Sequence, residues 1–481
     1  MAQTDEAELH ARIRRFESFD RNRLNASYHG VAARLDRLPA GRWHRKIMWL
    51  FGAAVFCDCL DMYVGGGILA QLFSSGWSTV DQNALFSSIT MIGYLIGALL
   101  AGYLADRFGR RKGLLVNIMI FAVATLAAAF SPSMEALIAM RGFMGIGLGA
   151  ALPNAYAALS EYTPPSSRGR YAGWIGLIGN FSPPLGALLT LICVPVFGWR
   201  PIFIGIGLLS IAVWVWLLCR LPESPRWLAS QGRGEEADRI VSEAEKSFAE
   251  QGIDLPALDM DVIAQAVNAE DMQRASWRSL FGRHMIKRTV AASAALFAMN
   301  LMVYTITNWT PTIFVLRGLD ASLSIGITVV MLIGAPFGIF FLGVFADKHD
   351  RKKGLVVCLL LLAFCAYVWS LIPADAIIAI MAVGFVLCAV LYYYSLLACS
   401  VYLGEIFPTR VRIRGAGFAN AVGRVAGILS PYYVAFLLQS SGASTVFFVN
   451  GIILVVLALI IAFCGVETRQ RSLEDINDSV L

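Results

Sequence analysis

The sequence predicts an all-α membrane protein of twelve transmembrane helices in two pseudo-symmetric six-helix halves. Three observations predict it. Of the 481 residues 57% are hydrophobic and 15% charged, with a mean hydropathy of +0.65, whereas soluble domains carry about a quarter charged residues. The apolar residues gather into twelve runs, each near the ~20 residues that a membrane-crossing helix needs. Short motifs from the first six runs also recur in the last six at an almost constant spacing.

In chain order, residues 1–46 form a charged, partly helical arm without an apolar segment. No signal peptide is therefore expected, and the N-terminus is expected in the cytoplasm. The first half, 47–219, holds runs at 47–70, 84–104, 114–130, 135–159, 170–196 and 200–219. Residues 220–287 are a polar linker with short helices, in which Gly232 to Lys246 has the composition of a solvent-exposed helix. The second half, 288–465, holds runs at 288–316, 322–345, 355–372, 376–403, 413–438 and 443–465, and 466–481 is a polar tail. Pro183 and Pro184 predict a kink in the fifth run. The glycines Gly142, Gly145, Gly147 and Gly149 predict close packing of the fourth.

Orientation follows from the loops. Arg107, Arg110, Arg111, Lys112, Arg168, Arg170, Lys348, Arg351, Lys352, Lys353, Arg410, Arg412 and Arg414 lie after the second, fourth, eighth and tenth runs, while the opposite loops hold little beyond Arg200 and Arg317. Such an excess faces the cytoplasm, which would put both termini and the linker there. The net charge of +6 is thus a topology signal rather than a nucleic-acid patch, and no nucleic-acid partner is expected. The nine cysteines are scattered through apolar runs without a CxxC pair and read as packing residues, not as disulfides or metal ligands.

The repeat is specific. GYLADRFGRRKG from Gly102 recurs 241 residues on as GVFADKHDRKKG, aligning Asp106 with Asp347 and Arg110 with Arg351. EYTPPSSRGRYAG from Glu161 recurs at an offset of 244 as EIFPTRVRIRGAG, aligning Glu161 with Glu405 and Arg168 with Arg412, and the same offset carries Glu223 onto Glu467. Two halves of like topology with a site between them near the midplane are a transporter architecture.

Charges inside the apolar runs mark that site. Asp58 and Asp61, three residues apart in FCDCLDMYVGGG, share one face of the first helix. An acid at that depth costs several kcal/mol and normally faces a watery cavity or a partner. Arg424 lies roughly 16 Å into the eleventh helix at 1.5 Å per residue, near the middle of a ~30 Å core. The 244 offset pairs it with Asn180. A guanidinium there forks onto a substrate carboxylate or is neutralised by a neighbouring acid. Arg141 and Asp61 both come out ~21 Å from the basic-loop side, which allows them to pair, and an error of about one turn leaves Asp58 open as the partner. None of the five histidines, His10, His29, His44, His284 and His349, falls near the midplane, so a proton carrier must be a carboxylate. Asn300, Tyr304, Asn308, Trp309, Tyr392, Tyr393 and Tyr394 are candidate cavity groups.

Taken with RGFMGIGLG, PESPRWL, EIFPTRVRIRG and ETRQRSLEDI, in this order along nearly the whole chain, the loop motif resembles the major facilitator superfamily. The similar branch includes sugar porters and metabolite or aromatic-acid proton symporters. The seventh helix, FAMNLMVYTITNWTP, lacks the glutamines usual in sugar porters, and Val466 stands where they have proline. The pair Asp58 and Asp61 instead looks like the D-x-x-D of aromatic-acid symporters, with Cys59 replacing a small residue, and GRVAGILSP resembles their eleventh helix.

The resemblance implies proton coupling through Asp61, Asp58 and Arg141. It also implies a gate built from Asp106, Arg110, Glu161, Arg168, Asp347, Arg351, Glu405 and Arg412, in which the loop acid meets a helix N-terminus and the arginines meet acids. The expectation is a monomeric symporter of the cell inner or plasma membrane, in contact with lipid. It would import a small, anionic organic acid, with aromatic carboxylates among the candidates, together with protons. The alternatives are a proton-coupled sugar or polyol porter, a transport-inactive sensor of the same ligand and a drug exporter exchanging for protons. No nucleophile, metal or phosphate-cradle constellation stands out, so neither an enzyme nor a cofactor is expected.

Overall fold

The computed structural model describes residues 28–256, 280–282, 285–345, 350–373, 375–408 and 411–468, and the side chains of 28, 29, 343–345, 412 and 413 lie outside that description. Among the described residues twelve helices are long and apolar enough to cross a membrane. The first half holds Arg42–Ser74, Val80–Phe108, Arg110–Ala129, Met134–Tyr162, Pro165–Phe197 and Arg200–Arg220. The second holds Ile286–Leu316, Ala321–Leu342, Arg351–Leu371, Ile377–Glu405, Arg414–Ser441 and Ala443–Cys464. Most extend past the apolar runs because polar caps lengthen a helix beyond its apolar stretch. Thr79 and Gln82 form a reciprocal capping box, Thr79 N donating to Gln82 Oε1 at 3.0 Å and Gln82 N to Thr79 Oγ1 at 3.2 Å.

Each half has its own apolar core, with Ala84 and Ala187 of the first reaching into the core of the second. Small residues set the spacing. A Cβ at Gly97 would fall 2.0 Å from Ile146 O, and one at Gly149 would fall 1.9 Å from Tyr94 O, so the second and fourth helices meet backbone to backbone. Four spans are interrupted. The fifth breaks at Phe181, where a new helix starts at Ser182 followed by Pro183 and Pro184, at the predicted kink. In the seventh a π-turn, Thr305–Trp309, precedes Pro311, and a second π-turn, Leu397–Tyr402, interrupts the tenth. The eighth breaks at Ile333.

The halves touch toward the end opposite the basic loops. Ser88 Oγ donates to Ile428 O at 2.9 Å, Gln439 Nε2 to Asp81 Oδ1 at 2.7 Å, and a Cβ at Gly66 would lie 2.1 Å from Thr307 O. The last contact explains a glycine within FCDCLDMYVGGG. No side chain fits where the first and seventh helices meet.

Beside the basic loops, Tyr28–Asp36 packs on Pro225–Ser230 and Gly234–Ala249 around Val31, Leu35, Leu228, Val241 and Phe248. The linker helix was expected to be solvent-exposed, and one stripe of it is not. Ala237, Val241, Ala244 and Phe248 recur at helical spacing and are covered by the N-terminal helix. His44, expected in the cytoplasmic arm, lies inside the first span and is fully buried among Trp43, Tyr171 and Phe248.

Candidate functional site

Two charged centres lie inside the bundle. Asp61 and Arg141 form the first, Arg141 Nη1 donating to Asp61 Oδ2 at 2.6 Å with the pair at 0% and 2% exposure. Arg141 Nε donates to Thr90 Oγ1 at 3.3 Å, and the guanidinium stands 4.7 Å from the Phe86 ring. Thr90 in turn donates to Phe86 O at 2.7 Å, which fixes its oxygen as an acceptor. Among the described residues Asp61 Oδ1 has no partner.

The second centre is a cavity of about 170 Å³ between the halves, lined by Asp58, Cys59, Met62, Tyr63, Tyr94, Leu152, Val303, Tyr304, Thr307 and Arg424. At ~30 Å³ per water that is about six waters, or one small ring with its substituents. Arg424 Nη1 donates to Tyr304 Oη at 2.9 Å, and its guanidinium lies 4.0 Å from the centre of the Tyr94 ring. The close packing of Gly149 on Tyr94 and the π-turn after Tyr304 place these two rings. No acid lies within ion-pair distance of Arg424 among the described residues, and Asp58 Oδ1, on the same cavity, is also without a partner. The Tyr392 hydroxyl donates to that of Tyr63 at 3.1 Å and so joins the halves beside the cavity.

Asp58 and Asp61 thus diverge. Three residues turn a helix to about 60° short of a full revolution, enough to send Asp61 to Arg141 and Asp58 to the cavity. Tyr304 and Arg424 reach the cavity, but the other proposed cavity groups do not line it. Asn180 ends the broken fifth helix and returns its amide to Gly176 O at 2.7 Å. Asn300 bonds Leu296 O at 2.8 Å behind Gly423, Asn308 is buried in the π-turn against Gly66, and Trp309 is core. Tyr393 is half-buried and turned away, because at ~100° per residue three consecutive tyrosines cannot share a direction. Tyr392 takes the contact with Tyr63, and Tyr394 bonds Ala295 O at 2.9 Å.

At the basic-loop end each half carries the same network. Arg110 Nε donates to Glu161 Oε1 at 2.7 Å and its Nη1 to Asp106 Oδ1 at 2.5 Å, while Arg351 Nε lies 3.5 Å from Glu405 Oε2. Glu223 accepts from Arg111 N at 2.9 Å, capping the third span. Glu467 does the same for the ninth, accepting from Arg351 N at 2.7 Å and Lys352 N at 3.1 Å. The Ser224 and Thr468 hydroxyls, again 244 apart, donate to Glu161 Oε2 and Glu405 Oε2. Third- and ninth-span amides are thus met by Glu223 and Glu467, whereas the loop acid Asp106 is largely exposed and bonds Arg110. Among the described residues Arg168 Nη2 reaches Thr163 O, at 3.4 Å, and stays off Glu161. Asp347 and the Arg412 side chain lie outside the described residues.

Sequence reasoning missed Tyr63 and Tyr94, uncharged and set in apolar helices. It also left Glu223, Ser224, Glu467 and Thr468 without roles, although their common offset was a usable signal.

Residues 43–479 match the model of the family described as Sugar (and other) transporter. The chain is 39% identical over 456 residues to the inner membrane metabolite transport protein YdjE of Escherichia coli (strain K12), covering 94% of this chain and 99% of that one. It is 30% identical over 450 residues to the niacin transporter NiaP of Acinetobacter baylyi (strain ATCC 33305 / BD413 / ADP1), covering 93% and 99%. Among solved structures, the partially occluded inward-open conformation of the xylose transporter XylE from E. coli superposes with a TM-score of 0.72, covering 90% of this chain and 100% of that one. At 18% identity that likeness speaks for the fold alone.

Proposed function

The chain belongs to the sugar (and other) transporter family of the major facilitator superfamily, and from that premise we propose that it is a proton-coupled symporter importing a small organic acid. That it is a multi-pass membrane transporter of a small molecule follows from the family; the acid and the proton are this proposal. The observation that carries it is the division of labour between two buried centres, Asp61 on Arg141 and, apart from them, Arg424 with no acid of its own.

Arg424 is free to fork onto a carboxylate, for which arginine is suited and lysine is not. Tyr63, Tyr94 and Tyr304 offer ring faces, which favours an aromatic acid over a sugar. Niacin, named for one relative, is such an acid. Asp61 is the proton carrier in this reading, and Arg141 the cation that approaches and retreats to lower and raise its proton affinity. An ion pair formed while the halves are held together opposite the basic loops is the state expected once the proton has left toward the cytoplasm. The orientation is the one the loop charges favour, with both termini cytoplasmic, and the unit is a lipid-embedded monomer. The networks around Glu161 and Glu405 act as the gate on that side.

The test is uptake of labelled benzoate and nicotinate into proteoliposomes, with the external medium followed for alkalinisation. Uptake with alkalinisation is expected. Binding without uptake would make the protein a sensor, and transport of neutral sugars alone would remove the carboxylate from the account.

A further inference from the structure

We propose that Asp58 is a substrate-binding acid, and that the cavity takes an aromatic carboxylate bearing a second, hydrogen-bond-donating group that bonds Asp58 while the carboxylate bonds Arg424. This rests on the carboxylate reading above and narrows it to a two-headed ligand.

The first element is the pairing of charges. Asp61 is occupied by Arg141 at 2.6 Å, whereas Asp58, 3% exposed on the wall of the cavity, has an oxygen without any partner. Arg424 on the facing half has a hydroxyl and a ring but no acid within ion-pair distance. The cavity therefore carries one carboxyl and one guanidinium, held on different halves and not bonded to each other. A buried carboxyl oxygen without a hydrogen-bond partner is unfavourable, so Asp58 awaits a donor from outside the chain, while Arg424, bonded to the neutral Tyr304 hydroxyl, can take an anion.

The second is what a plain carboxylate would do. It would satisfy Arg424 but leave the Asp58 carboxyl oxygen without a partner. A ligand with a hydroxyl, amine or ring N–H away from its carboxylate supplies that partner. Between the two heads the wall is Met62, Leu152, Val303 and the rings of Tyr63, Tyr94 and Tyr304, a lining for an apolar ring, and about 170 Å³ limits the body to a single ring. Such a ligand ties the first span to the eleventh, so specificity and closure of the halves on the substrate have one origin. Sites built to bond a substrate O–H or N–H discriminate strongly against analogues lacking it, because their own polar group is then stranded.

The experiment measures binding to the purified full-length protein by isothermal titration. The probes are the meta and para series of hydroxybenzoate, aminobenzoate and the near-isosteric toluate, which has no donor. In wild type the better of the hydroxy or amino acids should bind on the order of 10- to 100-fold more tightly than its toluate partner. In Asp58→Leu that preference should disappear or reverse, and in Asp58→Asn, which keeps one acceptor without the charge, it should shrink by at least about tenfold from a large wild-type ratio. If the leucine variant does not fold, the asparagine ratio decides. Carboxylates that bind wild type, weaken in Arg424→Lys and yet show equal affinity for donor and toluate, or a preference untouched by Asp58→Asn, would overturn this inference alone. No binding of any benzoate, or none weakened by Arg424→Lys, would overturn the carboxylate reading and this inference with it.

Discussion

Glu223 and Glu467, 244 residues apart in sequence, hold the same position in the two halves. Each carboxylate caps the helix that begins with the basic loop motif, Glu223 through Arg111 N and Glu467 through Arg351 N and Lys352 N. Behind Glu223, Gly109 has a φ of 104° and leaves no room for a side chain, since a Cβ would fall 2.3 Å from Glu223 Oε2.

Removing either cap strands partly buried helix amides. Glu223→Ala and Glu467→Ala are each expected to lower stability by about 0.5 to 2 kcal/mol, the range for a lost N-cap, and to lower the melting temperature of the purified protein. Unchanged melting for both would mean that water replaces the carboxylates without loss.

At the opposite end, Gly66→Ala should push the first and seventh helices apart, because the new methyl would meet Thr307 O at 2.1 Å. In a background whose only cysteine is Cys59, on the cavity wall, the substitution should speed labelling by an impermeant maleimide applied from the side opposite the basic loops. Equal rates with and without Gly66→Ala would show that this contact does not close the cavity.

Arg424→Lys keeps the charge but loses the planar fork and the stacking on Tyr94. Affinity for the transported acid should fall on the order of 10- to 100-fold, as expected for a charge-assisted bond worth about 1.5 to 3 kcal/mol. Titration of the ligand into both proteins measures it, and equal affinities would separate Arg424 from substrate.

Outside the membrane, the N-terminal helix is held to the linker helix by Arg34, whose Nη2 donates to Glu245 Oε2 at 2.7 Å, and by Arg37, whose Nη2 donates to Glu245 Oε1 at 2.6 Å. Burial alone would push the Glu245 carboxyl up, but the hydrogen bonds and charges of Arg34 and Arg37 hold it below its ordinary value. A depressed acid stabilises fully above its unfolded value and loses that stabilisation as pH falls through its folded value. Protection of Tyr28–Asp36 against hydrogen exchange, taken relative to the intrinsic rate at each pH, should therefore be high at neutral pH and fall only below the ordinary glutamate value of about 4.3. Glu245→Gln should lower that protection at neutral pH, and protection insensitive to both changes would break the link.

Much of this was legible in the sequence, because a bilayer imposes length on helices and sign on loops, both of which are local. The pairing of Asp61 with Arg141 was within reach of depth arithmetic, since rise per residue is constant. Rotation about the axis is not so readable. Asp58 and Asp61 share a helix face yet serve different centres, and Tyr392 rather than Tyr393 meets Tyr63. The cavity position of Tyr304 further depends on the π-turn that follows it, which shifts the register without any charge to announce it. Asn180 matched Arg424 by offset, but the proline break that follows turns it back on its own helix.

The central claim is that Asp61 carries the proton, and its most direct test compares two fluxes in proteoliposomes made with Asp61→Asn. Asparagine imitates the protonated acid permanently, so the loaded carrier should still cross in either direction and counterflow of labelled substrate should persist. Accumulation driven by a pH gradient should be lost, because no proton is taken up or released with each cycle. An Asp61→Asn protein that still concentrates substrate under a pH gradient would contradict the account.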